Sequence, residues 1–379
     1  MTAGPAQPAR LDVDAILGDP SVRIVVCCGS GGVGKTTTAA ALALRAAEHH
    51  GRRTVVLTID PARRLAQALG LTALDNSPRQ VKLDTDDAGE LHAMMLDMKR
   101  TFDEVVLTHT DPKRAEVIFA NPFYQAMSST FSGTQEYMAM EKLGQLRAKD
   151  EWDLIVVDTP PSRSALDFLD APQRLARFLD GRMLRMLLSP ARAGGRSMFS
   201  LVTASFGVFS RAVERILGGQ LLTDLSGFVS ALDTTFGGFR ERAEQTFRVL
   251  QDRETAFLVV AAPEPDAIRE ASYFAGRLAG QRMPLQGLVL NRVHAVVAEG
   301  LSAADAADGA VALAGTEHQA TADVLRVHAG LAAAVARETE VAARFTAEHP
   351  EVAVVPVAAQ PADVHDIDGL RQIGASLAG

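Results

Sequence analysis

Residues Val22–Cys28 read VRIVVCC, and the chain then runs through Gly29-Ser30-Gly31-Gly32-Val33-Gly34-Lys35-Thr36 into KTTTAAALALRAAEHH, which ends at His50. A short apolar, β-branched run, a glycine-rich turn and a helical pattern follow one another without a gap. The stretch therefore predicts strand, loop and helix in that order. The eight loop residues satisfy G-x-x-x-x-G-K-[ST], the phosphate-binding signature, in the setting that signature requires. Glycines let successive backbone N–H groups curl round phosphate oxygens with no Cβ in the way. The helix that follows presents its positive N-terminal end. Lys35 is expected to reach the β- and γ-phosphates and the Thr36 hydroxyl to ligate Mg²⁺. The expected nucleotide-binding segment extends through Thr37, with ATP or ADP and Mg²⁺ as its ligands.

Outward from the loop, further apolar runs recur. They are Thr54–Ile59 (TVVLTI), His92–Leu96, Leu154–Val157 (LIVV), Phe257–Ala261, Gly287–Leu290 and Val352–Val357. These runs are apolar throughout rather than alternating, and helix-like stretches separate most of them. That pattern predicts an α/β fold of the P-loop NTPase type, with a mostly parallel, doubly wound sheet covered on both faces. From Lys99 to about Ala148, and from about Arg163 to Gln251, the pattern is instead helical and rich in Met, Phe and Leu. These stretches are expected to be insertions, approximately 99–150 and 163–251, that form an α-helical subdomain. The whole of 1–379 then makes a single ATPase domain, its core approximately 20–98, 151–162 and 252–379. The Ala-rich zone from Ser302 to Glu348 reads as a long covering helix or a hairpin.

Two aspartates close strands. Asp158 ends LIVVD, the apolar-strand-plus-Asp pattern that holds or orients a metal. Asp60 ends TVVLTID and is followed by Pro61, so the chain turns there. The C-terminal ends of parallel strands face the ligand, so both carboxylates are expected near the loop. A helix N-cap is the structural alternative for each.

Composition narrows the partners. A content of 47% hydrophobic and 22% charged residues lies in the range of soluble globular domains. The net charge of −8 argues against coating nucleic acid, and no nucleic-acid partner is expected. No uninterrupted apolar run reaches the roughly 18 residues of a membrane span. Met1–Pro8 shows no basic-then-apolar leader, so a cytoplasmic location is the expectation. The two cysteines, Cys27 and Cys28, are adjacent in a predicted strand and point to opposite faces. They read as core residues.

GSGGVGKTTTAAALAL, TIDPARRLAQALG, VVDTPPSRSALDFL, PEPDAIREASYFAGRL and LNRV, spread over most of the chain, resemble the arsenite-pump and guided-entry (tail-anchored protein targeting) ATPases. That family belongs to the deviant class of the phosphate-loop ATPases. The resemblance implies a dimer with ATP at the subunit interface, in which hydrolysis opens and closes a paired helical subdomain. It implies that Asp60 positions the attacking water and that Asp158, within DTPPS, lies near magnesium, directly or through water. It also implies that Asn291 of LNRV reads adenine and that Pro356 belongs to a segment packed beside the base.

Three departures qualify it. The deviant loop reads G-K-G-G-V-G-K-T, its first lysine reaching the partner's phosphates, and here that position is Ser30. Of the homodimer and the heterodimer with a related subunit that the dimer leaves open, Ser30 points to a partner that keeps the lysine, or to slow hydrolysis by the chain alone; Arg63 or Arg64 either supplies the charge instead or is solvated on a helix's first turns. The cysteine sets that hold zinc or arsenite in the family are missing, so neither site is expected. Third, one phosphate loop is present, whereas the arsenite pumps carry two fused halves. Met183–Leu188 and Met198–Phe209 suit a groove for an apolar client helix, such as a membrane-protein segment, or the subdomain's own core. A client of that kind would bring the protein to the membrane periphery through a partner. A partitioning or positioning ATPase, and a low-activity regulatory subunit of a heterodimer, are the alternative functions.

Overall fold

In a computed structural model of the chain, the described residues are 9–59, 64–84, 89–121, 124, 125, 128, 134–160, 239–298 and 300–378. In chain order the elements are α1 (Val13–Gly18), β1 (Ile24–Cys28), α2 (Lys35–His50), β2 (Thr54–Thr58), α3 (Arg64–Ala68), β3 (Arg79–Val81) and β4 (Leu91–Met95). There follow α4 (Met98–His109), α5 (Pro112–Ala120), α6 (Thr134–Lys149), β5 (Leu154–Asp158), α7 (Phe239–Gln251), β6 (Thr255–Ala261) and α8 (Pro265–Gly280). Last come β7 (Leu285–Val293), α9 (Ala303–Leu313), α10 (Gln319–Glu348), β8 (Ala353–Ala358) and α11 (Ile367–Ala378). The described residues divide into two compact units. The first draws on Met1–Leu96, Leu146–Leu166 and Arg248–Gly379, the second on Asp97–Gln145 and Asp167–Phe247.

The first unit holds an eight-stranded sheet in the order β3-β4-β2-β5-β1-β6-β7-β8. All pairs are parallel except the edge pair β3 and β4. The central strands β1, β2, β5 and β6 are buried at every position, as continuous apolar runs in a parallel sheet require. This is the α/β class expected from those runs. The short strand β3 carries two exposed residues in RQV and escapes recognition by hydropathy. The Ala-rich zone is a hairpin of α9 and α10.

Helix α2 is buried along Ala39–Leu44 and lies in the core. Arg371 of α11 reaches its Glu48 at 2.8 Å, and Leu370, Ile373 and Leu377 of α11 are buried. At the other end of the sheet Arg52, 7% exposed, donates to the carbonyls of Leu17 (3.0 Å), Asp19 (3.2 Å), Val22 (2.6 Å) and Asp153. One guanidinium thus ties α1, the lead into β1 and the lead into β5 together, using donors that fan out in one plane.

The second unit is helical in its described part. Tyr124, 1% exposed, packs edge-on against Phe102 and donates its hydroxyl to Asp103 at 2.7 Å. Lys142 reaches Glu104 at 2.6 Å, and Arg242 reaches Glu141 at 3.1 Å. Met183–Leu188 and Met198–Phe209 lie outside the described residues. Among those described, no helix is long and apolar enough to cross a membrane.

Replacing Arg52 by Met removes this donor from the buried carbonyls of Leu17 and Val22. The expected loss is roughly 3 kcal/mol or more of stability, read as the shift in urea-unfolding midpoint. A second test concerns Asp14, whose carboxyl is held at about 2 instead of 3.8, first by the Arg45 hydrogen bond and then by His50, against its own burial. The folded value lies below the unfolded one, so the stabilisation is complete above about pH 4 and disappears as pH falls towards 2. The stability difference between wild type and Asp14→Asn should follow that course in denaturant melts taken across pH 2–5.

Candidate functional site

Parallel pairing places the ends of the central strands side by side. Cys27 of β1 is level with Asp158 of β5, and Thr58 of β2 is level with Asp158 from the other side. The backbone leaving β1 must then pass close to β6. A Cβ on Gly29 would stand 2.1 Å from the carbonyl oxygen of Val260, so only glycine fits there. Gly34 ends the loop in the left-handed region (φ 94°) and precedes α2, whose N-terminus has no side-chain cap. Uncapped N–H groups at the start of a 16-residue helix favour an anion beside them.

The side chains converge on the same place. Thr36 Oγ1 donates to Asp158 Oδ2 at 2.7 Å and Thr58 Oγ1 donates to the same oxygen at 2.9 Å. Asp158 is 1% exposed, and Thr159 beside it donates to the Cys27 carbonyl at 2.8 Å. Lys35, also buried, donates to the Ser30 carbonyl at 2.7 Å. The Ser30 hydroxyl is buried with no hydrogen-bond partner among the described residues, which leaves a donor within the loop itself. Cys27 and Cys28 are buried in β1, and burial raises both thiols, Cys28 to about 12.

A cleft of about 1180 Å³ opens over the loop. A drug-sized ligand occupies a pocket of roughly 300–1000 Å³, so a nucleoside triphosphate has room here. Gly31, Gly32, Gly34 and Lys35–Thr37 form its floor. Arg64, Gln67 and Ala68 of α3 form one wall, and Arg292, His294 and the segment Ala358–His365 another.

The structure thus brings Lys35, Thr36, Thr37, Asp158 and Asn291 to one cluster. Asn291 is buried, and its Nδ2 donates to the Val33 carbonyl at 2.8 Å. Pro356 lies exposed within β8, paired with Leu290, while Pro361 is the proline that lines the cleft. Asp60 and Arg63 lie outside the described residues; Arg64 is exposed and on the cleft wall. Thr58, Gln67, His294 and the 358–365 segment were not singled out from sequence. Thr58 was readable in principle, because it stands two residues before Asp60 in a strand whose C-terminal end faces the ligand.

Comparison with known proteins identifies the family. The anion-transporting ATPase family matches residues 22–300. The ATPase GET3 of Malassezia globosa is 25% identical over 252 residues, 65% of this chain and 67% of that protein. An uncharacterized protein, SCO2128, of Streptomyces coelicolor is 30% identical over 277 residues, 72% of this chain and 63% of that one. The ATPase GET3 of Podospora anserina is 25% identical over 287 residues, 74% of this chain and 76% of that protein. The chain therefore spans less than two thirds of the Streptomyces relative and from two thirds to three quarters of the two fungal ones. The resemblance read from the loop, the TIDPARRL and VVDTPPS stretches and LNRV is borne out at the level of family. With a match that begins two residues before β1 and runs past β7, this chain belongs to the anion-transporting ATPase family.

Proposed function

We propose that the chain is an ATP-binding and ATP-hydrolysing switch whose nucleotide state controls the binding of a hydrophobic client, such as a membrane-protein segment. The observation that carries the nucleotide reading is the pair of hydroxyls, Thr36 and Thr58, trained on Asp158 beside a glycine loop that opens a long helix. The loop N–H groups and the start of α2 bind the phosphates, and Lys35 adds a fixed positive charge to them. Thr36 and Asp158 supply oxygen donors 2.7 Å apart, the hard set that suits magnesium. When bound there, the metal neutralises charge on the phosphates. Thr58 orients the carboxylate. Asp60, two residues beyond the end of β2, is assigned by family resemblance to hold the attacking water.

We further assign the chain to one ATPase domain with helical insertions at approximately 99–150 and 163–251, working in the cytoplasm as a homodimer or with a related subunit. Membrane contact would then come through a partner. The second reading, a slow subunit that depends on a partner's lysine, is favoured by Ser30 at the position of the deviant loop's first lysine.

Lys35→Ala should weaken Mg-ATP binding by calorimetry about ten- to a hundredfold, the weight of a charge-assisted bond, and EDTA should stop phosphate release. Unchanged affinity in the variant would remove the nucleotide reading. In related phosphoryl-transfer enzymes a cation supplied across an interface is worth roughly 10³–10⁵ in rate. Ser30→Lys is accordingly expected to raise the phosphate-release rate of the isolated chain by about tenfold or more. A rate equal to that of the wild type would count against the missing lysine as the cause of slow turnover.

A further inference from the structure

Asn291 stands where β7 reaches the cleft, 7% exposed, and both ends of its side-chain amide are engaged by the protein. Nδ2 donates to the Val33 carbonyl at 2.8 Å across 258 residues of sequence, and Oδ1 accepts the Arg292 N–H at 3.0 Å. Gly34 makes room for the contact, since a Cβ there would stand 2.2 Å from Nδ2. In a planar trans peptide the Val33 carbonyl and the Gly34 N–H point in opposite directions. Holding the carbonyl against Asn291 therefore aims the N–H away from it, in a residue that lines the cleft. The hydrogen bond at Arg292 fixes which end of the amide faces the loop, so the donor cannot be exchanged for an acceptor without breaking both contacts.

We infer that Asn291 is a positioning residue of the phosphate loop, setting the Val33–Gly34 peptide for any triphosphate whatever its base. The inference rests on the cleft being a nucleotide site. It differs from the adenine-reading role that family resemblance implies for the same residue, and the two roles make opposite predictions for a ligand with no base.

The test is calorimetry of wild type, Asn291→Asp and Asn291→Ala with ATP, GTP and inorganic tripolyphosphate, each with magnesium. Asn291→Asp keeps the volume and the acceptor for Arg292 but turns an oxygen on the Val33 carbonyl, so it serves if the alanine variant does not fold. Loss of one buried hydrogen bond predicts weakening of about tenfold for all three ligands alike, with the ATP-to-GTP ratio and the stoichiometry unchanged. A fall in stoichiometry at constant affinity would mean a merely structural residue and overturn the inference. A lowered ATP-to-GTP ratio with tripolyphosphate binding intact would overturn it in favour of base reading. If the wild type bound none of the three, the nucleotide reading of the cleft would fall first, and this inference with it.

Discussion

The parallel register of three strands governs the site. Setting Cys27 and Thr58 level with Asp158 from either side means that one carboxylate sits where β1 releases the loop and where β2 offers a hydroxyl. A slip of one residue would invert every side chain on the strand, since neighbours point to opposite faces. It would send the Asp158 carboxylate to the other face of the sheet, away from Thr36. Complete burial of these strands makes such a slip costly, because each position is packed on both sides of the sheet. The same hydrophobic burial that stabilises the sheet therefore also aims the chemistry.

Close approach is the second constraint, and glycine satisfies it at two points. At Gly29 the loop passes a carbonyl of β6, and at Gly34 it admits the amide of Asn291 from β7. The loop is held by its neighbours from the sheet as well as by its own sequence. A glycine-rich segment has much conformational freedom to lose on folding, and these contacts offset part of that cost. What results is a backbone held in one curve before any ligand arrives.

Much of this is legible in the sequence. The apolar runs announced the central strands because two-sided burial leaves no alternation to hide them, and the loop announced itself because its backbone geometry demands particular residues. The edge strand β3 was not readable: RQV has one buried residue of three, and its antiparallel pairing with β4 depends on a tertiary neighbour. The hydroxyl of Thr58 was missed because threonine in a strand is ordinarily unremarkable, and only the register with Asp158 gives it a task. The cleft wall at 358–365, AAQPADVH, carries no motif; it matters by position, since it follows the end of β8 on the ligand side of the sheet. Pro361 rather than Pro356 lines the cleft for the same reason. Pro356 sits two residues before the end of β8, and only from Ala358, the last residue of that strand, does the chain reach the cleft.

Helix α11 begins directly after that wall segment, contributes Ile373 to the cleft and grips α2 through Arg371 and Glu48. The helix whose first residues line the cleft is thus gripped through Glu48, near its far end, by an element that also lines the cleft. A change that tilts α11 is therefore expected to be felt in the cleft lining and in α2 together.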